Sequence, residues 1–114
     1  MKSIYIILIA VILLFLFNRE DNVDFKKKIS EGAIVIDVRT PEEYSRGHIE
    51  NSVNIPLDIL EKSLDLLNDK EKTIITCCAS GMRSEKAKKI LKKLEYSQVY
   101  NGGGWSSLNK KINK

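Results

Sequence analysis

The pattern of apolar residues predicts an α/β fold, a small parallel β-sheet with helices on both faces, preceded by one N-terminal transmembrane helix. Short β-branched runs alternate with segments of helical periodicity, and this order is typical of parallel sheets. A single unbroken apolar stretch, residues 4–17, predicts the additional helix. Because 114 residues leave room for one small domain, we expect an anchor over residues 1–18 and a domain over residues 22–112.

The N-terminal stretch allows two interpretations, a membrane anchor and a cleaved export signal. A basic residue, Lys2, precedes fourteen apolar residues, which as a helix would extend about 21 Å, short of the ~30 Å hydrocarbon core. The residues before Arg19 offer no small-residue cleavage site, so an uncleaved single-pass anchor is favoured. Cations are more numerous after the stretch, which slightly favours a cytoplasmic domain, whereas the export-like start argues for the opposite side.

Helices and strands follow one another along the domain. Asn22 can cap a first helix, and Thr40, Pro41 and Glu43 form a capping box with proline at the first helical position. Leucines at three- and four-residue spacing predict a third helix. The predicted helices cover residues 23–30, 41–47, 57–67 and 84–94. The predicted strands cover residues 33–37, 52–55, 73–77 and 98–100, and three glycines and a short segment over residues 105–112 follow the last of them.

Charge and cysteine content exclude several classes of protein. The net charge is +4, and the basic residues of the last third resemble a solvated helix face without interleaved aromatic residues. We therefore expect no nucleic-acid partner. The two cysteines, Cys77 and Cys78, are adjacent, which excludes a disulfide framework and a structural zinc site.

The segment after the strand at residues 73–77 contains the candidate catalytic residues. A strand, a short loop and a helix N-terminus together form an anion site. The first N–H groups of the helix lack intrahelical partners, and they lie at the positive end of the helix dipole. A cysteine at the start of such a loop is favoured as a thiolate and can act as a nucleophile. The candidate residues are Cys78 as the nucleophile, with Ala79, Ser80, Gly81, Met82, Arg83 and Ser84 as the loop.

Three ordered motifs resemble the rhodanese (sulfurtransferase) family. They lie at residues 36–49 with 54–57, at residues 78–84 and at residues 99–105, and the resemblance covers about residues 22–110. It implies a rhodanese-like domain that transfers sulfur from a small anionic donor such as thiosulfate to a small-molecule or protein thiol through a Cys78 persulfide. It implies no metal and no organic cofactor. It also implies that the following residues are structural, with Arg39 and Glu43 paired across a turn and His48 packed against backbone: Asp37, Arg39, Glu43 and His48.

Two positions depart from the family pattern. Asn51-Ser52 stands where the family usually has Gly-Ala, and asparagine tolerates a positive φ, so the turn can survive. The glycine that usually follows the loop helix is replaced near Glu95-Tyr96, in a predicted surface turn. Neither position belongs to the cysteine loop.

Two other functions stay open at this point. Counted from Cys77, the loop reads C-x5-R to Arg83, which is the spacing of cysteine phosphatases and arsenate reductases, although Ser80 then stands where their glycine is usual. A non-enzymatic rhodanese-like binding module is the other alternative, but such modules usually lack the loop cysteine. The presence of Cys78 therefore favours an enzyme over a binding module.

Overall fold

A computed structural model describes residues 2–17 and 22–114 of the chain. Within these described residues, five α-helices and four strands follow each other, with two 3₁₀ helices, Leu57–Lys62 and Leu64–Leu67, between the second and third strands. The helices are α1 Lys2–Phe17, α2 Phe25–Ser30, α3 Pro41–Ser45, α4 Met82–Lys93 and α5 Trp105–Ile112. The strands are β1 Ile34–Asp37, β2 Val53–Asn54, β3 Ile74–Cys78 and β4 Val99–Gly104.

The sheet is parallel throughout, in the order β2-β1-β3-β4, and the predicted α/β architecture is confirmed. Side chains alternate between two apolar cores because successive residues of a strand face opposite sides. Ile74 and Cys78 lie in the core beneath α4 and the 3₁₀ helices, and Ile75 and Cys77 lie in the core formed with α2 and α5. β3 is fully buried, which explains its continuous apolar sequence.

Two predicted helices differ from those observed. Residues 57–67 form two 3₁₀ helices instead of one α-helix, and Ser63 between them donates its N–H to the Leu60 carbonyl. Leucines at three- and four-residue spacing fit either helix type, so the spacing alone could not separate them. The first helix of the domain begins at Phe25, because Asp24 and not Asn22 caps it by accepting the Lys27 N–H at 3.0 Å.

The predicted transmembrane anchor, and with it the membrane location, is wrong. Within residues 2–17 and 22–114, no helix is long and apolar enough to cross a membrane. α1 has 16 residues, which gives about 24 Å of helix against a hydrocarbon core of ~30 Å. Met1 and Asn18, which the predicted segment included, and Arg19, which entered the argument on sidedness, lie outside the described residues.

Two non-glycine residues of the described chain have a positive φ, and both stand at the departures from the family pattern. Asn51 has φ 67° and Glu95 has φ 74°. The predicted tolerance of Asn51 for this conformation is confirmed. Glu95 follows α4, where glycine is the usual residue because it has no Cβ to clash.

Candidate active site

Cys78 is the last residue of β3, and its side chain is buried at the carboxyl edge of the sheet. A short loop connects it to α4. The Gly81 N–H donates to Cys78 Sγ at 2.9 Å, and the backbone N–H groups of Ser80 and Ser84 also interact with the sulfur. The sulfur therefore lies among several donors at the positive end of a helix dipole.

Two glycines let the backbone close around this sulfur. Gly81 caps α4 with φ 103°, a left-handed conformation that is costly for a residue with a Cβ. Gly104 pairs with Cys78 across the irregular β3–β4 register, and a Cβ on it would lie 2.9 Å from the Ala79 carbonyl oxygen. The glycine motif of β4 thus lets this strand pass directly beside the loop.

The environment of Cys78 favours the thiolate. Burial by itself raises the pKa of the thiol, but hydrogen bonds from the Ser84 hydroxyl and from the N–H groups of Ser84, Gly81 and Ser80 outweigh it and lower the pKa. A thiolate at neutral pH is the nucleophilic form of cysteine. The geometry therefore suits covalent chemistry at Cys78.

Cys77 has the opposite environment. It is fully buried in the core on the other side of the sheet, and burial, with the nearby charge of Asp37, raises the pKa of its thiol. The loop donor Gly81 N–H bonds to Cys78 and not to Cys77. The C-x5-R loop that would begin at Cys77 is therefore not the one that the backbone forms.

Ser84 links the cysteine to a residue for which the sequence motifs predict no role. Its hydroxyl oxygen lies 3.4 Å from Cys78 Sγ, 2.6 Å from Asn101 Oδ1 and 3.0 Å from the Gly81 carbonyl. Asn101 also accepts the Gly103 N–H at 2.8 Å and donates to Glu85 at 3.0 Å. The sequence feature that could have indicated a role for Asn101 is its position just before the three glycines, on the strand beside β3.

Arg83 binds Glu43 and so joins the cysteine loop to α3. Arg83 Nη1 and Nη2 donate to the two carboxylate oxygens of Glu43 at 2.7 and 2.9 Å. This bidentate contact, with the N–H of Thr40, lowers the pKa of Glu43 to about 2. The predicted pairing of Glu43 with Arg39 is wrong, because Arg39 reaches only the backbone carbonyl of Glu43.

Arg39 instead forms a buried ion pair with Asp37 at the end of β1. Arg39 Nη2 lies 2.7 Å from Asp37 Oδ2, and both side chains are almost completely buried. The same nitrogen donates to the Gly47 carbonyl at 2.7 Å, so the pair organises the loop that follows α3. The guanidinium also lies 4.7 Å from the Trp105 ring.

His48 contacts Tyr44 and not the cysteine loop. The two rings stack with centroids 3.8 Å apart, and His48 Nδ1 lies 2.8 Å from the Tyr44 carbonyl oxygen. The remaining loop residues, Ala79, Ser80 and Met82, are exposed. In the described part of the chain, no group of three or more His, Cys, Asp or Glu side chains is arranged to hold a metal ion.

Known sulfurtransferases and rhodaneses are among the proteins that are similar to this chain. Thiosulfate sulfurtransferase PspE of Escherichia coli (strain K12) is 40% identical over 70 residues, which make up 60% of this chain and 67% of PspE. The structure of a rhodanese with anions from E. coli matches with a TM-score of 0.62 and 37% identity, over 66% of this chain and 89% of that chain. Human single-domain sulfurtransferase TSTD1 matches with a TM-score of 0.65 and 26% identity, over 75% and 90%.

A four-stranded parallel sheet with a buried cysteine among the N–H groups of a strand-to-helix loop defines a class of small α/β domains. The rhodanese-like domain family matches residues 21–111, which are most of the chain, and the chain belongs to this family. The predicted resemblance is confirmed, and the protein is a rhodanese-type enzyme.

Proposed function

We propose that this enzyme transfers sulfane sulfur from a small anionic donor such as thiosulfate to a thiophilic acceptor, a small-molecule or protein thiol, through a persulfide on Cys78. The observation that carries the proposal is the 2.9 Å contact of the Gly81 N–H with Cys78 Sγ at the start of α4. The name of the relative PspE, a thiosulfate sulfurtransferase, supports the choice of donor.

Sulfur transfer proceeds in two displacements. The Cys78 thiolate attacks the outer sulfur of thiosulfate, the S–S bond of the donor breaks, and sulfite leaves with the bonding electron pair. The product is a persulfide anion on Cys78, which keeps the single negative charge of the thiolate. An acceptor such as cyanide or a thiolate then attacks the outer sulfur, and the Cys78 thiolate leaves.

The loop residues have distinct roles in these steps. The N–H groups of Ser80, Gly81 and Ser84 stabilise the negative charge before and after transfer, because they are already oriented toward the sulfur. A single additional sulfur atom is small enough for a loop closed this tightly by β4. Arg83 lies in the first turn of α4 and its charge interacts with Cys78, so it can contact the donor anion.

Replacing each cysteine separately tests the proposal. We expect Cys78→Ser to abolish thiosulfate:cyanide sulfur transfer and to abolish the mass increase of one sulfur after thiosulfate treatment, because a serine hydroxyl stays protonated. Cys77→Ser should retain most activity and lose about 1–2 kcal/mol of unfolding free energy, since it places a hydroxyl in a packed core.

Three results would contradict the proposal. An essential Cys77 with a dispensable Cys78 and hydrolysis of phosphate esters would indicate phosphatase chemistry. Absence of the persulfide in the folded unmodified protein would indicate a binding module. Full activity of Cys78→Ser would exclude the assigned nucleophile.

A further inference from the structure

The rim of the cysteine loop carries an ion pair whose two members are both accessible. Arg83 Nη1 lies 2.7 Å from Glu43 Oε1, and the side chains of Arg83 and Glu43 are 35% and 31% exposed. The charge of Arg83 interacts with Cys78, so a dissolved donor that approaches the cysteine meets the guanidinium together with its bound carboxylate. The net charge of the pair is zero, so the long-range attraction that a free arginine would exert on an anion is largely cancelled.

Glu43 is held in this place by α3 and not by Arg83 alone. The Thr40 N–H donates to Glu43 Oε1 at 3.1 Å, and the Glu43 N–H donates to the Thr40 hydroxyl at 3.2 Å, which completes a capping box. Oε1 thus receives hydrogen bonds from both Thr40 and Arg83. Thr40 therefore holds the Glu43 carboxylate in this position independently of its contact with Arg83.

We propose that Glu43 is a specificity-determining residue that disfavours doubly charged sulfur donors, so that the enzyme prefers sulfane donors with a single negative charge, such as thiosulfonates and persulfide anions. This inference rests on the proposed sulfurtransferase function. The Cys78 thiolate repels an anionic donor more strongly as the charge of the donor grows, and Arg83, which Glu43 neutralises, does not offset this repulsion. Glu43 acts on the encounter with the donor and not on the bond that breaks.

Two donors that deliver the same outer sulfur differ in charge. Thiosulfate carries two negative charges, and methanethiosulfonate carries one. In the second case the Cys78 thiolate takes the outer sulfur and methanesulfinate leaves with the electron pair, so the same Cys78 persulfide forms. The intrinsic reactivities of the two donors cancel when variants are compared, so the change in the ratio of their kcat/KM values reports the electrostatic selectivity of the site.

Glu43→Gln in the full chain is the main test. Glutamine can replace glutamate in a capping box, so the fold of α3 should be kept. At low ionic strength we expect kcat/KM to rise about 10-fold for thiosulfate and about 3-fold for methanethiosulfonate, because the electrostatic free energy scales with donor charge. Both gains should shrink in about 0.5 M salt, where the Debye length is only a few ångströms.

Glu42→Gln is the matched control, because Glu42 is the adjacent residue on α3, is exposed and loses the same charge. It should change either value less than about 2-fold. The reciprocal variant Arg83→Gln leaves Glu43 unpaired and should lower kcat/KM more for thiosulfate than for methanethiosulfonate. This second variant keeps the test decisive if Glu43→Gln is poorly folded.

An unchanged donor ratio in Glu43→Gln, or an equal change in Glu42→Gln, would overturn the role of Glu43. Either result leaves the proposed function intact as long as the unmodified protein forms the Cys78 persulfide. Failure to form that persulfide from both donors would instead overturn the sulfurtransferase proposal itself.

Discussion

The Ser84 hydroxyl has one hydrogen and three acceptors within reach, namely Asn101 Oδ1, the Gly81 carbonyl and the Cys78 sulfur. With Cys78 as a thiol, the S–H donates to Ser84 Oγ, and the hydroxyl hydrogen can be donated to Asn101 at 2.6 Å. With Cys78 as a thiolate, the hydroxyl can turn toward the sulfur. The charge state of the cysteine is therefore coupled to the direction of one O–H bond.

Ser84→Ala tests this coupling. The Ser84 hydroxyl lowers the pKa of Cys78, so its removal should raise that pKa, because the thiolate loses one hydrogen bond. The rate of iodoacetamide alkylation as a function of pH measures this pKa. An unchanged value would show that Asn101 keeps the hydroxyl hydrogen in both states of the cysteine.

At the scale of single elements, the backbone at the C-terminus of α4 is strained at Glu95. The Tyr96 N–H donates to the Leu91 carbonyl and the Glu95 N–H to the Lys92 carbonyl, both at 3.0 Å, which is the Schellman arrangement. Tyr96 and Leu91 are both buried in the same core, so this helix end is fixed by packing. Glu95 must therefore adopt φ 74°, and it also places a negative charge at the negative end of the helix dipole.

Glu95→Gly should stabilise the protein. Glycine removes the Cβ strain of the left-handed conformation but adds entropy to the unfolded chain, and the net gain should be about 1 kcal/mol. Urea denaturation measures the change in unfolding free energy. Glu95→Ala keeps the strain while removing the charge, so it should recover less than Glu95→Gly does. An equal gain from both variants would assign the cost to charge alone.

At the scale of the whole molecule, the described side chains that form or pack against the two apolar cores all lie at Val23 or later in the chain. The described side chains of α1, residues 3–13, are exposed. The described side chains of α1 therefore belong to neither apolar core, and the sheet, the cysteine loop and the Glu43–Arg83 pair all lie within residues 22–114.

A chain of residues 22–114 should consequently fold and react as the full chain does. We expect its Tm to agree within about 2 °C, which for a domain of this size corresponds to a fraction of a kcal/mol. Thiosulfate-dependent persulfide formation on Cys78 should also be unchanged. Calorimetry and intact-mass measurement provide the two values. A Tm lower by more than about 5 °C would mean that α1 contributes to the domain core.

Patterns between residues close in the chain were sufficient to predict most of the helices and strands. The capping box at Thr40 and Glu43 is formed as predicted, because it depends on residues three positions apart. Cys77 and Cys78 lie in separate cores, as the alternation of side chains along a strand requires. Local patterns were insufficient for residues 57–67, where apolar spacing does not distinguish α from 3₁₀ geometry.

The sequence by itself determined the parallel α/β order and the cysteine loop at the end of the central strand, because periodicity, capping and loop spacing act between residues close in the chain. Only the tertiary structure decided which charged side chains pair with each other. Glu43 is four residues from Arg39 but pairs with Arg83, forty residues away. The reason is physical: β1 and β3 are neighbours in the sheet, so the helices that follow them begin at the same edge, and chain distance no longer sets which charges meet.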